Sequence, residues 1–171
     1  MRMFGPKSLS YYLFYLTRMA SLSILLLIGF FLIPLLTHNY QMINGQFQMA
    51  IPFLPETFIK GFYRLNILVT ITLVMVFIMV FFYLLSNIFK TFKAPKLFTD
   101  KAIKQLNYFG LLNLVAAPLL FLIIDFLIME KQQIGNILNY LLTFILGIFL
   151  LFIAAIFKQG HQVQNENDLT I

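Results

Sequence analysis

Four long apolar runs constrain this chain more than any other feature of its sequence. They cover about residues 19–36, 62–85, 106–129 and 137–157. A helix rises 1.5 Å per residue, so about 20 residues cross a hydrocarbon layer of roughly 30 Å. The runs lack the alternation of membrane strands, and lipid leaves backbone groups no other partners, so helices are predicted. The sequence therefore predicts an all-α integral membrane bundle of four transmembrane helices, forming a single domain over residues 1–171.

The composition is typical of a membrane protein and excludes several kinds of chemistry. Hydrophobic residues make up 61% of the chain and charged residues only 11%, unlike an ordinary soluble domain. Cysteine is absent, which excludes disulfides, thiolate metal sites and dithiol redox chemistry. The net charge of +6 comes from short segments between helices, where membrane orientation explains it better than nucleic acid does. The lipid bilayer is the expected surrounding partner, and no direct nucleic-acid partner is expected.

Basic residues predict the orientation of the helices. Nine of the 12 Lys and Arg residues lie in the N-terminal segment, the second link and the tail, and the other links hold the rest. Since basic residues favour the cytoplasmic side, both termini are predicted to be cytoplasmic. Arg2, Lys7 and Arg18 precede the first run as in a signal peptide, but "LTHNYQ" offers no cleavage site, so this helix is predicted to be retained.

The second link, "TFKAPKLFTDKAIKQL", predicts a helix that starts before the membrane. Pro95 is a helix breaker, Thr99 is a candidate N-cap, and Asp100 suits the first turn of a helix. Apolar Phe98, Ile103 and Leu106 lie among the lysines of this segment, which favours placement in an anionic headgroup layer. Two interpretations stay open, lipid anchoring and a docking surface for a cytoplasmic partner, and both use Lys93, Lys96, Lys101 and Lys104.

Polar side chains near the external ends of the helices predict a polar pocket. Asp125 is the clearest ionisable residue inside a span, where a charge is costly, and Arg64 is predicted at a similar depth. They could form a structural pair or extend to the nearby surface, line a sensing or binding pocket, or serve an ion or proton route. The candidate pocket residues are Arg64, Asn66, Thr70, Asp125, Asn139 and Thr143.

The fourth span and the tail carry two further predictions. Small and polar residues share one face of the helix, which should pack inward: Asn136, Tyr140, Thr143, Gly147 and Ala154. Residues 158–171 are predicted to form a cytoplasmic tail, in which Gly160 is a candidate helix end. In that tail Glu166, Asp168, Leu169 and Ile171 could latch onto the lysines of the second link. Pro118 is predicted to kink the third helix.

The residue inventory does not predict an enzyme. His38 and His161 lie outside the spans and on opposite sides, so they cannot ligate a haem within the membrane. One intramembrane aspartate cannot form a protease dyad, and there is no phosphate-binding glycine loop. No catalytic residue, cofactor or metal is therefore expected.

The chain resembles the small bacterial membrane proteins of the domain-of-unknown-function 2975 family, over almost its whole length. The resemblance rests on the four spans, on Pro95, Phe98, Leu106 and Gly110, and on the ending from Phe157 and Gly160 to "ENDLTI". Asn165 departs from the family, where a second acidic residue is usual, as do Lys158 and Gln159, near which arginines are usual. The resemblance implies a multi-pass protein of the bacterial cytoplasmic membrane whose relatives are often encoded beside a small helix-turn-helix regulator. It implies no activity and no catalytic residue.

Two functions are consistent with these features. The leading hypothesis is a membrane-embedded interaction or sensor partner of a cytoplasmic helix-turn-helix regulator. The alternative is a small transporter or permeability factor using the polar pocket near Arg64 and Asp125. A transporter needs polar groups at several depths, and the inner two thirds of the spans offer little besides Asn113, which favours the first hypothesis.

Overall fold

The computed structural model describes residues 2–50, 58–133 and 137–169, and the described residues form four helices long and apolar enough to cross a membrane. This confirms the predicted class. The helices are α1 (Leu9–Leu36), α2 (Leu65–Phe92), α3 (Asp100–Ile128) and α4 (Ile137–Leu169).

The helices extend beyond the predicted spans at one end of the bundle. This end, here called the terminal end, contains the start of α1, the link between α2 and α3, and the last turns of α4. Gly5 N donates a hydrogen bond to Phe92 O at 3.0 Å, and the Phe92 ring stacks on Phe157 with centroids 5.5 Å apart. At 28 residues, α1 and α2 are each about 42 Å long, so their extra turns project past the hydrocarbon layer.

The helices pack in chain order, α1 against α2, α2 against α3, and α3 against α4. The main core lies toward the terminal end, where α2, α3 and α4 meet. Its buried apolar residues are Ile88, Ala102, Leu106, Phe109, Leu150, Ala154 and Phe157. Ile103 and Phe98 are partly buried and pack against the same core, so these apolar side chains of the second link contact the bundle. Their placement in a headgroup layer stays a prediction.

Glycines bring α3 and α4 close together. A Cβ on Gly147 would lie 2.6 Å from the backbone nitrogen of Leu114, and one on Gly110 would lie 2.9 Å from the Leu151 side chain. Close approach through small residues is typical of membrane helix pairs. Gly147 and Ala154 are buried and Tyr140 and Thr143 half-buried, as predicted for the inward face, while Asn136 lies outside the described residues.

The third helix changes its winding on both sides of Pro118. Residues Leu112–Ala116 and Ile123–Ile128 are π-helical, and Ala117–Leu122 between them is α-helical. Proline has no N–H to donate to the carbonyl four residues earlier, and its ring crowds that carbonyl. A wider π turn directly before Pro118 accommodates both effects, and the kink predicted at Pro118 stays a prediction.

An antiparallel sheet forms in the described part of the first link, with the strand order β1 (Gln41–Ile43), β2 (Gln46–Ala50) and β3 (Phe58–Phe62). Asn44 and Gly45 both have positive φ, 53° and 74°, as a tight hairpin turn requires. Phe47 and Met49 are buried against Phe31 of α1. The sheet therefore packs on α1 through a second, smaller core that is separate from the main one, and the end that carries it is here called the sheet end.

The predicted helix end at Gly160 is wrong, since α4 continues through this residue to Leu169. Gly160 does not have the positive φ that a glycine at a helix C-terminus uses. A Cβ at this position would lie 2.8 Å from the Phe98 ring. Glycine at 160 therefore allows α4 to pack against the second link, and the tail begins as a helix.

Candidate functional site

The first candidate site is a polar pocket centred on Asp125 near the sheet end. Asp125 is 8% exposed and lies on the π-helical segment that ends α3. Its carboxylate accepts hydrogen bonds from Lys131 Nζ at 2.7 Å and from the Tyr140 hydroxyl at 2.8 Å. Lys131 follows α3 and Tyr140 lies in the first turns of α4. This buried carboxylate therefore links the two helices and has a cation beside it.

The pocket has a volume of about 280 Å³ and lies between α2, α3 and α4. The Phe121 ring meets the Tyr140 ring edge to face, with centroids 5.5 Å apart. The lining combines three apolar side chains with four polar or charged ones, which suits a small molecule that carries polar groups. The lining residues are Val74, Phe121, Ile124, Asp125, Lys131, Asn139 and Tyr140.

The structure does not bring Arg64 to Asp125. Arg64 is exposed and directly precedes α2, where its backbone N–H donates to Phe62 O. The pocket of Asp125 meets α2 at Val74, ten residues further on, which is about 15 Å along the helix. The described partners of Asp125 are Lys131 and Tyr140 instead.

The other predicted pocket residues divide between two places. Asn139 lines the pocket, and the Thr143 hydroxyl one turn away bonds back to Asn139 O and Tyr140 O. Asn66 is exposed on the first turn of α2, and Thr70 Oγ1 is buried without a hydrogen-bond partner in the described part of the chain. Contacts of Lys131 and Tyr140 with Asp125 were not predicted from the sequence. Both residues lie close in sequence to the helix ends that the short third link connects. This closeness was the signal that could have placed them near Asp125.

The second candidate site is the exposed face that the second link and the last turns of α4 form at the terminal end, here called the terminal surface. Thr99 caps α3 as predicted, with its hydroxyl accepting from Ala102 N at 3.2 Å. Lys96, Lys101 and Lys104 are exposed. The three lysines therefore give this face a positive charge.

Lys93 differs from the other lysines of the link because it lies among aromatic rings of α1. Its Nζ is 3.9 Å from the centroid of Phe14, 5.0 Å from Tyr15 and 5.4 Å from Tyr11. A cation over ring faces is held by cation–π attraction. Lys93 therefore joins α1 to the end of α2 and contributes less to the terminal surface than was predicted.

His161 connects the tail to the second link. Its Nδ1 lies 3.0 Å from Phe98 O, and its Nε2 lies 3.6 Å from Asp100 Oδ1. The Phe98 ring also packs on Phe157, with centroids 5.1 Å apart. No contact was predicted for His161, because nothing in the sequence showed that α4 would continue past Gly160.

The predicted latch residues are only partly described. Glu166 is exposed on the last described turns of α4. Ile171 and the side chains of Asp168 and Leu169 lie outside the described part of the protein. The contact between tail and link that the structure describes thus uses Gly160 and His161, and the contribution of the acidic residues stays a prediction.

A family model with the description "Protein of unknown function (DUF2975)" matches residues 36–171. The chain belongs to this family. The DUF2975 match covers the sheet, α2, α3, α4 and both candidate sites, but it begins at the last residue of α1, so the similarity is shorter than predicted. No curated protein and no solved structure matches the chain. The rings that hold Lys93 therefore belong to a helix outside the DUF2975 match.

Proposed function

We propose that this protein is a membrane-embedded sensor or interaction protein that binds a cytoplasmic partner on its terminal surface. The observation that carries the proposal is the continuation of α4 beyond the span and its packing against the second link through Gly160 and His161. A helix of 33 residues is about 50 Å long, and therefore about 20 Å longer than the hydrocarbon layer. The additional length of α4 therefore gives a partner an ordered helical surface to bind.

The charge of the terminal surface favours an acidic partner. Exposed Lys96, Lys101 and Lys104 lie on the link side, and exposed Lys158 lies on α4. Val163 is 57% exposed on the same extension and offers an apolar contact. Positive charge attracts an acidic protein surface and speeds association, while a central apolar residue adds affinity.

The partner that the family resemblance implies is a small helix-turn-helix regulator in the cytoplasm. In this proposal the termini face the cytoplasm of a bacterial cell and the helices lie in the cytoplasmic membrane, as the basic residues predict. The pocket at Asp125 would receive the signal, because its residues hold α3 and α4 together at the sheet end. A ligand that separates Lys131 from Asp125 would loosen the same helix pair that meets at the terminal surface. The chain itself has no catalytic role in this proposal.

Site-specific photo-crosslinking in native membranes tests the proposal. A photoreactive residue at Lys101 should capture the helix-turn-helix regulator, and the same residue at Lys60 on the sheet should not. Replacing Lys96, Lys101 and Lys104 together with Gln should abolish capture by a probe at Gln159, whereas Lys60→Gln should leave it unchanged. Equal capture from Lys60 and Lys101, or no capture of a regulator from Lys101, would contradict the proposal.

A small transporter or permeability factor is the second candidate function, and the pocket around Asp125 favours it. Asn113 is the next buried polar residue along the described part of α3, about 18 Å away, and its Oδ1 has no hydrogen-bond partner. Two polar positions separated by apolar residues make a poor route for a polar solute across the membrane, so this function is placed second. The transporter function would be supported if the wild-type protein carried a solute into liposomes and Asp125→Asn abolished this flux.

A further inference from the structure

A groove between α1 and α2 combines one cation with apolar walls. It has a volume of about 550 Å³ and lies on the side of the helix pair near the terminal end. Leu22 and Leu25 are about half exposed, so the groove opens sideways toward lipid. Its lining residues are Arg18, Ser21, Leu22, Leu25, Met79, Val80 and Tyr83.

Arg18 is held at one end of this groove by neutral groups. Its Nη1 lies 3.4 Å from Ser86 Oγ, and its Cζ lies 4.5 Å from the centroid of the Tyr83 ring. Ser86 is fully buried and its hydroxyl donates to Tyr83 O at 2.7 Å, which leaves an oxygen lone pair for Arg18. Neither contact of Arg18 within the described residues is a carboxylate, so most of its five N–H donors stay available for an anion.

The depth of Arg18 corresponds to a lipid phosphate. Arg18 lies 18 residues before the end of α1, and Tyr83 lies 18 residues after the start of α2, which is about 27 Å in each case. This distance approaches the roughly 30 Å thickness of the hydrocarbon layer, which places both residues at its boundary. Tyr11, Tyr12 and Tyr15 lie just beyond Arg18, as aromatic residues do at a membrane interface. Leu22 and Leu25 continue from Arg18 toward the bilayer centre at helical spacing.

The charge of these two helices selects an anion. The first acidic residue of the chain is Glu56 and the next is Asp100, so neither α1 nor α2 contains a carboxylate. Arg2, Lys7 and Lys90 add positive charge at the same end. A guanidinium matches the oxygens of a phosphate with paired hydrogen bonds, and the apolar walls match an acyl chain.

We infer that the α1–α2 groove is a binding site for one anionic phospholipid of the surrounding bilayer. Its phosphate accepts hydrogen bonds from Arg18, and an acyl chain lies along Leu22, Leu25, Met79 and Val80. Since α1 lies outside the DUF2975 match, half of this site comes from the unmatched part of the chain. The inference does not depend on the partner proposed above.

Native mass spectrometry of the full chain, released from nanodiscs of equimolar phosphatidylglycerol and phosphatidylcholine, tests the site. The wild type should retain phosphatidylglycerol over phosphatidylcholine by about five-fold, the effect of one cation near a lipid surface. Arg18→Gln should remove this preference. Lys158→Gln, which removes the same charge from an exposed position on α4 at the same end, should keep it.

Two further measurements separate the lipid site from simpler explanations. Leu22→Phe fills the groove while keeping Arg18 and should reduce lipid retention, and Arg18→Lys should keep only part of the preference because it loses the paired geometry. Millimolar inorganic phosphate should not displace the lipid, and displacement would show that a free phosphate ion is the ligand. Equal retention of both lipids by the wild type, or an unchanged preference in Arg18→Gln, would overturn the inference.

Discussion

Removing the Tyr140 hydroxyl should destabilise the protein through Asp125. Tyr140→Phe deletes the 2.8 Å hydrogen bond to a carboxylate whose side chain is only 11% exposed, while leaving the ring against Phe121 in place. A hydrogen bond to a charged group contributes about 1.5–3 kcal/mol, and the low exposure of Asp125 argues for the upper half of this range. We expect Tyr140→Phe to lower the free energy of unfolding by about 2.5 kcal/mol.

The ion pair of Asp125 with Lys131 should contribute less than the tyrosine. The Lys131 side chain is 49% exposed, so solvent screens the pair despite the distance of 2.7 Å. Lys131→Met should therefore cost about 1 kcal/mol. Asp125→Asn should lose the ion pair and weaken the hydrogen bond from Tyr140, because the amide oxygen that still accepts it carries no charge. The double variant Asp125→Asn with Tyr140→Phe should therefore lose less than the sum of the single changes.

Reversible denaturant unfolding in detergent micelles, followed by circular dichroism, measures these differences. Tyr108→Phe is the matched control, because Tyr108 is 55% exposed on α3, and it should change stability by less than about 0.5 kcal/mol. Arg64→Gln should be strictly additive with Asp125→Asn, since the structure does not pair the two residues. A neutral Tyr140→Phe, or additivity of the Asp125 and Tyr140 changes, would refute the proposed network.

Three further predictions follow from packing at other positions. Gly147→Leu should separate α3 from α4 and lower the free energy of unfolding by more than about 2 kcal/mol, as denaturant unfolding would show, whereas Ala155→Leu on the exposed face should have little effect. Lys93→Gln should cost about 0.5–1 kcal/mol by losing its contacts with Phe14 and Tyr15, and a loss no greater than that of Lys90→Gln would count against them. Gly160→Leu should detach the tail from Phe98, so limited proteolysis should cleave the last turns of α4 faster than in the wild type, and unchanged cleavage would argue against this packing.

Local chemistry could be predicted from the sequence, and contacts across the bundle could not. The Thr99 cap depends on residues three positions apart, and the inward face of α4 depends on spacing alone, so both were predicted. The sheet had a local signal too, the Asn44–Gly45 turn between alternating residues, but the segment was treated only as a link.

The errors concern partners that are distant or hidden in the sequence. Gly160 suits both a helix end and a close helix contact, and only the position of Phe98 distinguishes them. Arg64 and Asp125 were placed at equal depth from predicted span ends, but α2 starts at Leu65, so Arg64 precedes the helix. Lys131 was counted only for its charge, although the short third link brings it back over Asp125.

The side of the membrane on which the terminal surface lies is the most direct test of the proposed function. Single cysteines replace Lys101 on the terminal surface and Gln132 in the third link, both exposed in the structure, in a chain that has no native cysteine. With an impermeant thiol reagent on intact cells, the cysteine at 132 should react, and the one at 101 should react only after the cells are permeabilised. Labelling of position 101 on intact cells, with position 132 protected, would place the terminal surface outside the cytoplasm and contradict its role in binding a cytoplasmic regulator.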